Sequence, residues 1–187
     1  EFANEVESIG DTAFSQCYSL HGTIDLSNVK SMSLNAFKKC TRVEEFILPN
    51  LNVDILPLFD SCSALKSIVA ENNNPKYFTE DGVLFSGNGN EKTLVLYPIQ
   101  KDGSVYIIPS DVVTIGKDAF KNNQHLEKIV VGENVTAIQS GAFSYTTIKS
   151  AYIPNSVTQL VDTFRSCTQL EWVVLEGNVT SISYDTF

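Results

Sequence analysis

At 187 residues, with 13 lysines and arginines against 22 aspartates and glutamates, the chain carries a formal charge of −9. It has no basic stripe, which excludes a phosphate-dominated nucleic-acid surface and disfavours anionic membranes. No run approaches the roughly 18 apolar residues that a spanning helix needs.

The first recognisable phrase, Glu5-Val6-Glu7-Ser8-Ile9, leads to Ala13-Phe14, and the same phrase then recurs. Its anchors are Phe14, Phe37, Phe59, Phe120, Phe143, Phe164 and Phe187, at spacings of 23, 22, 61, 23, 21 and 23 residues. A period in the low twenties predicts a solenoid, because a unit this small cannot bury its apolar face except against its neighbours. Aligned, the units read Val-Thr-x-Ile-x-x-x-Ala-Phe-x-x-Cys-x-x-Leu-x-x-Ile-x-Leu-Pro. Leu126, Ile129 and Val131 give the spacing of a chain entering a short strand with alternate side chains inward. Pro49, Pro109, Gly132, Pro154 and Gly177 end those strands. The stretch around Ala-Phe, as at 116–122, is long enough for only a turn or two of helix, so short helices or 3₁₀ turns are expected there.

Between Phe59 and Phe120 the array is modified over about residues 71–111. Val105-Tyr106-Ile107-Ile108-Pro109 keeps the strand phrase, while Gly82-Val83-Leu84-Phe85 and Thr93-Leu94-Val95-Leu96-Tyr97-Pro98 flank a polar tip at 86–90. Two β-rich runs around a Gly/Asn turn predict an inserted hairpin that replaces the helical part of one coil. The domain reading is one repeat domain over 1–187, with repeats at 1–70 and 112–187. Both ends fall inside repeats, and no atypical polar cap covers them, so a piece of a longer array is expected.

The Ile-x-x-x-Ala-Phe-x-x-Cys-x-x-Leu phrase resembles the leucine-rich repeat superfamily, and within it the BspA-type branch. The insertion Asp81-Gly82-Val83-Leu84-Phe85 followed by Leu-x-x-Tyr-Pro is similar to one common in such arrays. The resemblance covers essentially the whole chain. It implies an α/β, right-handed leucine-rich repeat solenoid with one short parallel strand per coil and short helical or 3₁₀ turns opposite. It also implies an extracellular or cell-surface protein engaged in adhesion.

Cys17, Cys40, Cys62 and Cys167 each fall three residues after an anchor, and Asn123 and Thr146 take that place in two other units. A shared small-residue site predicts buried free thiols rather than two disulfides, and no Cys-x-x-Cys pair suggests zinc. The sequons Asn134-Val135-Thr136 and Asn178-Val179-Thr180 lie on the repeat's own Asn-Val-Thr phrase, which makes them products of the structural consensus first. Glu80 and Asp81 beside Gly82 are read as turn residues rather than cation ligands. No hydrolase, metalloprotease, phosphate-loop or EF-hand signature occurs. His21 and His125 sit beside strand-opening leucines in coils far apart in the array, so no enzyme, cofactor or metal is expected.

Function is sought on the solvent side of the strands. Alternation predicts an outward row Asp25, Ile47, Val69, Val130, Tyr152 and Val174, joined by Tyr106 or Ile107 from the modified coil. The preceding outward row is Thr23, Glu45, Ser67, Lys128, Ser150 and Trp172. Exposed aromatics on a rigid surface have the character of interface hot spots, although β-branched residues favour strands whatever they bind. The partner-binding set is therefore Ile47, Val69, Lys128, Val130, Tyr152, Trp172 and Val174. A protein partner is expected ahead of a glycan, with no nucleic acid and no membrane insertion. The alternative is a spacer or scaffold element that self-associates through its repeat ends.

Overall fold

A computed structural model describes residues 5–87 and 91–187 and divides the chain into two compact units, Glu1–Leu84 and Phe85–Phe187. In the first unit the strands are β1 (Ser8–Ile9), β2 (His21–Asp25), β3 (Ser31–Met32), β4 (Arg42–Ile47), β5 (Ser67–Val69) and β6 (Tyr77–Glu80). β7 (Val83–Ser86) spans the division. The second unit contains β8 (Thr93–Leu96), β9 (Val105–Ile107), β10 (Thr114–Ile115), β11 (Lys128–Val130), β12 (Ala137–Ile138), β13 (Ser150–Ile153), β14 (Gln159–Leu160), β15 (Trp172–Leu175) and β16 (Ser181–Ile182).

Each unit is a stack of β-coils with little helix, and the coils carry two ladders rather than the expected one. The longer ladder is β2-β4-β5 in the first unit and β9-β11-β13-β15 in the second, parallel throughout. The shorter ladder comes from the Val-Thr-x-Ile phrase, which pairs β1 with β3, β8 with β10 with β12, and β14 with β16. Its isoleucines and leucine, Ile115, Ile138 and Leu160, turn inward and are buried. Two residues of pairing per coil suffice because every neighbouring coil repeats them.

The expected helices around Ala-Phe are absent among the described residues, apart from one 3₁₀ turn at Leu56–Phe59. The cause is backbone conformation. Thr12 and Gln16 bracket Phe14 with φ of 54° and 62°, Asp118 and Asn122 bracket Phe120 with 55° and 64°, and Gly141 and Tyr145 bracket Phe143 with 71° and 60°. A left-handed residue two places either side of the anchor breaks any helical run. What forms is a series of β-turns, such as Ala119 N–H to Gly116 carbonyl (3.3 Å) and Asn123 N–H to Phe120 carbonyl (3.1 Å). In both, the positive φ falls at the third residue, as in type II turns. The intervening N–H groups bond to the next coil instead: Phe120 to Ala142 at 2.8 Å, Asn122 to Ser144 at 3.1 Å, Phe143 to Thr163 at 2.9 Å. The backbone is thus satisfied between coils rather than within them.

The anchors form the core. In the first unit Phe14 stacks on Phe37 with centroids 5.0 Å apart, and Phe46 sits edge-on between Phe37 and Phe59 at 5.7 Å from each. In the second unit the column runs Tyr97, Phe120, Phe143, Phe164 and Phe187, at 4.9, 5.0, 5.3 and 5.8 Å. Tyr97 is an anchor that the sequence reading missed. Its N–H donates to the Ala119 carbonyl at 2.8 Å, as Phe120 does to Ala142, so this coil has kept its turn as well as its strand. Phe37, Phe46, Tyr97, Phe120, Phe143 and Phe164 are fully buried, each contributing about 1.5–3 kcal/mol, whereas Phe14 and Phe59 are half-buried and Phe187 is exposed.

Of the expected hairpin tip at 86–90, residues 88–90 lie outside the described residues; Ser86 closes β7, and β8 follows on the other flank. Asp81 and Gly82, both with positive φ, form the two-residue connection between β6 and β7, the backbone requirement of a primed turn. Where the second unit begins, the ammonium of Lys92 is buried 4.5 Å from the Phe85 ring centroid and 3.0 Å from both carboxylate oxygens of Asp111.

Candidate functional site: the outward strand face

Register fixes which side chains share a face. In the second unit Val130 pairs with Ile107 and Tyr152, and Tyr152 with Val174, giving the outward row Ile107, Val130, Tyr152, Val174. Parallel to it runs Val105, Lys128, Ser150, Trp172. The residues between them, Ile129 and Ala151, are buried, and Tyr106 points inward to rings of Tyr97 (4.8 Å) and Phe120 (5.8 Å). Of the two residues considered for the modified coil, Ile107 therefore joins the face, at 67% exposure. Trp172 is 50% exposed and Val174 41%. Ser150, expected at the surface, is buried between Lys128 and Trp172. An open groove of about 430 Å³ lies over Lys128, Val130, Ala151, Tyr152, Trp172 and Val174.

The electrostatics of this face centre on Tyr152. Its hydroxyl is pushed up to about 12, first by the Glu176 carboxylate, then by burial and by the charge of Glu133. At the opposite end of the strands Lys149 bonds to Glu127 at 2.9 Å, which holds the ammonium above its ordinary value.

In the first unit Asp25 pairs with Ile47 and Ile47 with Val69, while Thr23 pairs with Glu45 and Glu45 with Ser67. The Thr23 hydroxyl donates to Glu45 at 3.2 Å. Ile47 is half-buried and Val69 36% exposed. The seven predicted residues thus fall into two groups, Ile47 and Val69 in one unit and the other five in the second.

The column after the anchors is a donor site as well as a small-residue site. The Cys40 thiol donates to the Phe14 carbonyl at 3.1 Å and the Cys167 thiol to the Phe143 carbonyl at 3.0 Å. Asn123 donates to the carbonyls of Pro98 (3.1 Å) and Ile99 (3.2 Å) and accepts from the N–H of His125 and Leu126. All four cysteines are free. Burial pushes the Cys62 thiol up to about 12 and raises Cys40 and Cys167. Cys17 departs from the expectation of burial and is exposed. His21 Nδ1 donates to the Ser19 carbonyl (3.0 Å) and His125 Nε2 to Gln100 Oε1 (2.7 Å); neither has a nucleophile among the partners its ring nitrogens bond. Asn134, the first sequon, is exposed and donates to the Ser110 carbonyl at 2.7 Å, tying one coil to the previous one.

Bacterial proteins are among the solved structures that this chain resembles. A leucine-rich cell surface protein of Faecalibacterium prausnitzii superposes with a TM-score of 0.67 at 22% identity, over 98% of this chain and 51% of its own. The pneumococcal vaccine antigen PcpA gives 0.67 at 22%, over 94% and 50%, and a leucine-rich repeat protein of Eubacterium ventriosum 0.61 at 19%, over 95% and 70%. The chain spans about half the length of the first and of PcpA. No curated protein matches the sequence, and no helix among the described residues is long and apolar enough to cross a membrane. The repeat itself is more specific than these superpositions, since the model of the BspA type leucine-rich repeat region matches residues 1–83 and 103–187 with six copies. The chain belongs to the BspA-type leucine-rich repeat family.

Proposed function

We propose that this chain is a non-catalytic binding module of a cell-surface protein, holding a protein partner on the outward strand face of its second unit and thereby serving adhesion. The observation that carries the reading is the exposure of Trp172, Val174 and Ile107 around Tyr152, on a sheet whose other face is closed core. Isolated valines on strands follow from β-propensity alone. An exposed tryptophan beside a tyrosine over an open groove is large, rigid apolar area, the kind that carries most of the energy at protein interfaces. The cell-surface placement is supported by the likeness to the cell surface protein of Faecalibacterium prausnitzii. The absence of chemistry is supported by the repeat family and by histidines occupied with turn contacts. The same reading takes the coils as right-handed and the modified coil of about 71–111 as carrying an inserted hairpin.

The test is a Tyr152→Ala/Trp172→Ala chain immobilised on beads and assayed for adhesion to cells and to matrix proteins. Adhesion should fall while circular dichroism and melting stay as in the parent. Undiminished adhesion would remove the strand face from consideration. Regular end-to-end filaments by electron microscopy, with no partner captured, would favour a scaffold element instead.

A further inference from the structure

We propose that the groove over Tyr152 and Trp172 receives a polypeptide segment whose apolar side chains lie on that aromatic pair and whose arginine or lysine enters beside Glu133 and Glu176. This rests on the protein-binding reading of the face and specifies the partner's chemistry.

The argument starts from register. Along β15 the outward positions are Trp172, Val174 and then Glu176, whose N–H donates to the Ile153 carbonyl at 3.0 Å and so continues the ladder. The corresponding next positions on the neighbouring strands are Pro154 after Tyr152 and Gly132 after Val130. Neither bears a long side chain, so Glu176 stands over low ground diagonally from Tyr152. Glu133 follows Gly132 directly. Both glutamates are exposed and lie within hydrogen-bonding reach of the Tyr152 hydroxyl, Glu176 foremost, but among the described residues neither forms an ion pair, whereas Glu127 at the other end of the strands is neutralised by Lys149. The effect of both carboxylates on the Tyr152 hydroxyl agrees with their convergence on this spot.

The groove also has a polarity. Lys128 lies at the opposite end, exposed and without an ion-pair partner among the described residues. A uniformly basic segment would meet Lys128, and a neutral one would leave the glutamates unmatched. One cationic end next to apolar residues satisfies both. Arginine suits the site better than lysine, because its planar guanidinium can stack on an aromatic ring while pairing with a carboxylate. Opposite charge across a rim chiefly selects partners and speeds encounter, with the apolar contact supplying most of the affinity.

Trp172 is the chain's only tryptophan and reports on its own groove. Its emission would be titrated with the tryptophan-free peptide acetyl-Ser-Leu-Phe-Leu-Arg-Ser-amide and with versions in which the arginine is replaced by citrulline or glutamate. The arginine peptide should shift the emission saturably, more weakly at high salt, and bind about fivefold tighter than the other two, as two rim ion pairs imply. Glu133→Gln/Glu176→Gln should erase that preference. Glu7→Gln/Glu45→Gln, which removes the same charge elsewhere, should retain it. Equal binding of all three peptides would overturn the cation subsite and leave the face standing as a protein-binding surface. No response to any peptide would overturn it too, and a response only to a neutral oligosaccharide such as chitohexaose would overturn it in favour of a glycan. The bead assay with the double alanine variant tests the broader reading independently of peptide charge.

Discussion

Each unit presents its own longer ladder to solvent, and the side chains on the two differ. In the first unit the outward rows are Thr23, Glu45, Ser67 and Asp25, Ile47, Val69, a polar surface in which Thr23 already satisfies Glu45. In the second they are Val105, Lys128, Ser150, Trp172 and Ile107, Val130, Tyr152, Val174, an apolar surface with a groove. The inward positions do not differ in this way: Ile24, Phe46 and Ile68 in one unit and Ile129 and Ala151 in the other are all buried and apolar. Stacking therefore constrains one face and leaves the other free to diverge. Recognition chemistry belongs on the free face.

The comparison can be broken hardest at the core. Phe120→Ala should destabilise the chain by about 3–5 kcal/mol in urea unfolding, since the ring is fully buried between Tyr97 and Phe143. Val130→Ala, on the outward row a few residues away, should cost far less. Asn123→Ala removes the partners of two carbonyls and two N–H groups at a fully buried position. A loss of about 2–3 kcal/mol is expected, and a neutral outcome would mean that the column needs only small size. Asp118→Val places a β-branched residue at a φ of 55° and should cost about 1–2 kcal/mol, whereas Asp118→Gly should be tolerated. If both were equally harmful, the turn conformation would not be what excludes a helix.

The smallest effect concerns pH. The fold raises the Tyr152 hydroxyl to about 12, against an ordinary value near 10. The fold thus favours the protonated phenol, and the stability this lends is whole below about pH 10 and lost as pH rises through 12. NMR of tyrosines labelled at the ring carbon bearing oxygen, with the Tyr152 signal assigned by its loss in Tyr152→Phe, should show Tyr152 titrating late, and Glu176→Gln should shift that titration down. An unmoved titration would take Glu176 away from the groove.

Much of this was legible because solenoid packing is written in spacing. The anchor period carries the stacking, and strand alternation alone puts Val130, Tyr152 and Val174 on one row, as the register has them. The failures have physical causes. The left-handed positions are occupied by Thr12, Gln16, Asp118, Asn122 and Tyr145, which give no glycine signal, so a turn series read as short helix. Tyr97 is a tyrosine where its equivalents are phenylalanines, yet it lies 23 residues before Phe120, and the period alone would have found it. Burial of Ser150 depends on neighbouring Lys128 and Trp172, and strand periodicity carries no information about that. The groove and its glutamates emerge only once three strands are in register.

Hydroxyl-radical footprinting of the chain while it adheres to cells bears most directly on the claim that the second unit's outward face is the binding surface. Oxidation of Trp172, Tyr152 and Val174 should fall on binding, while Ile47 and Val69 should react as in the free chain. Protection of Ile47 and Val69 with Trp172 left reactive would contradict the account.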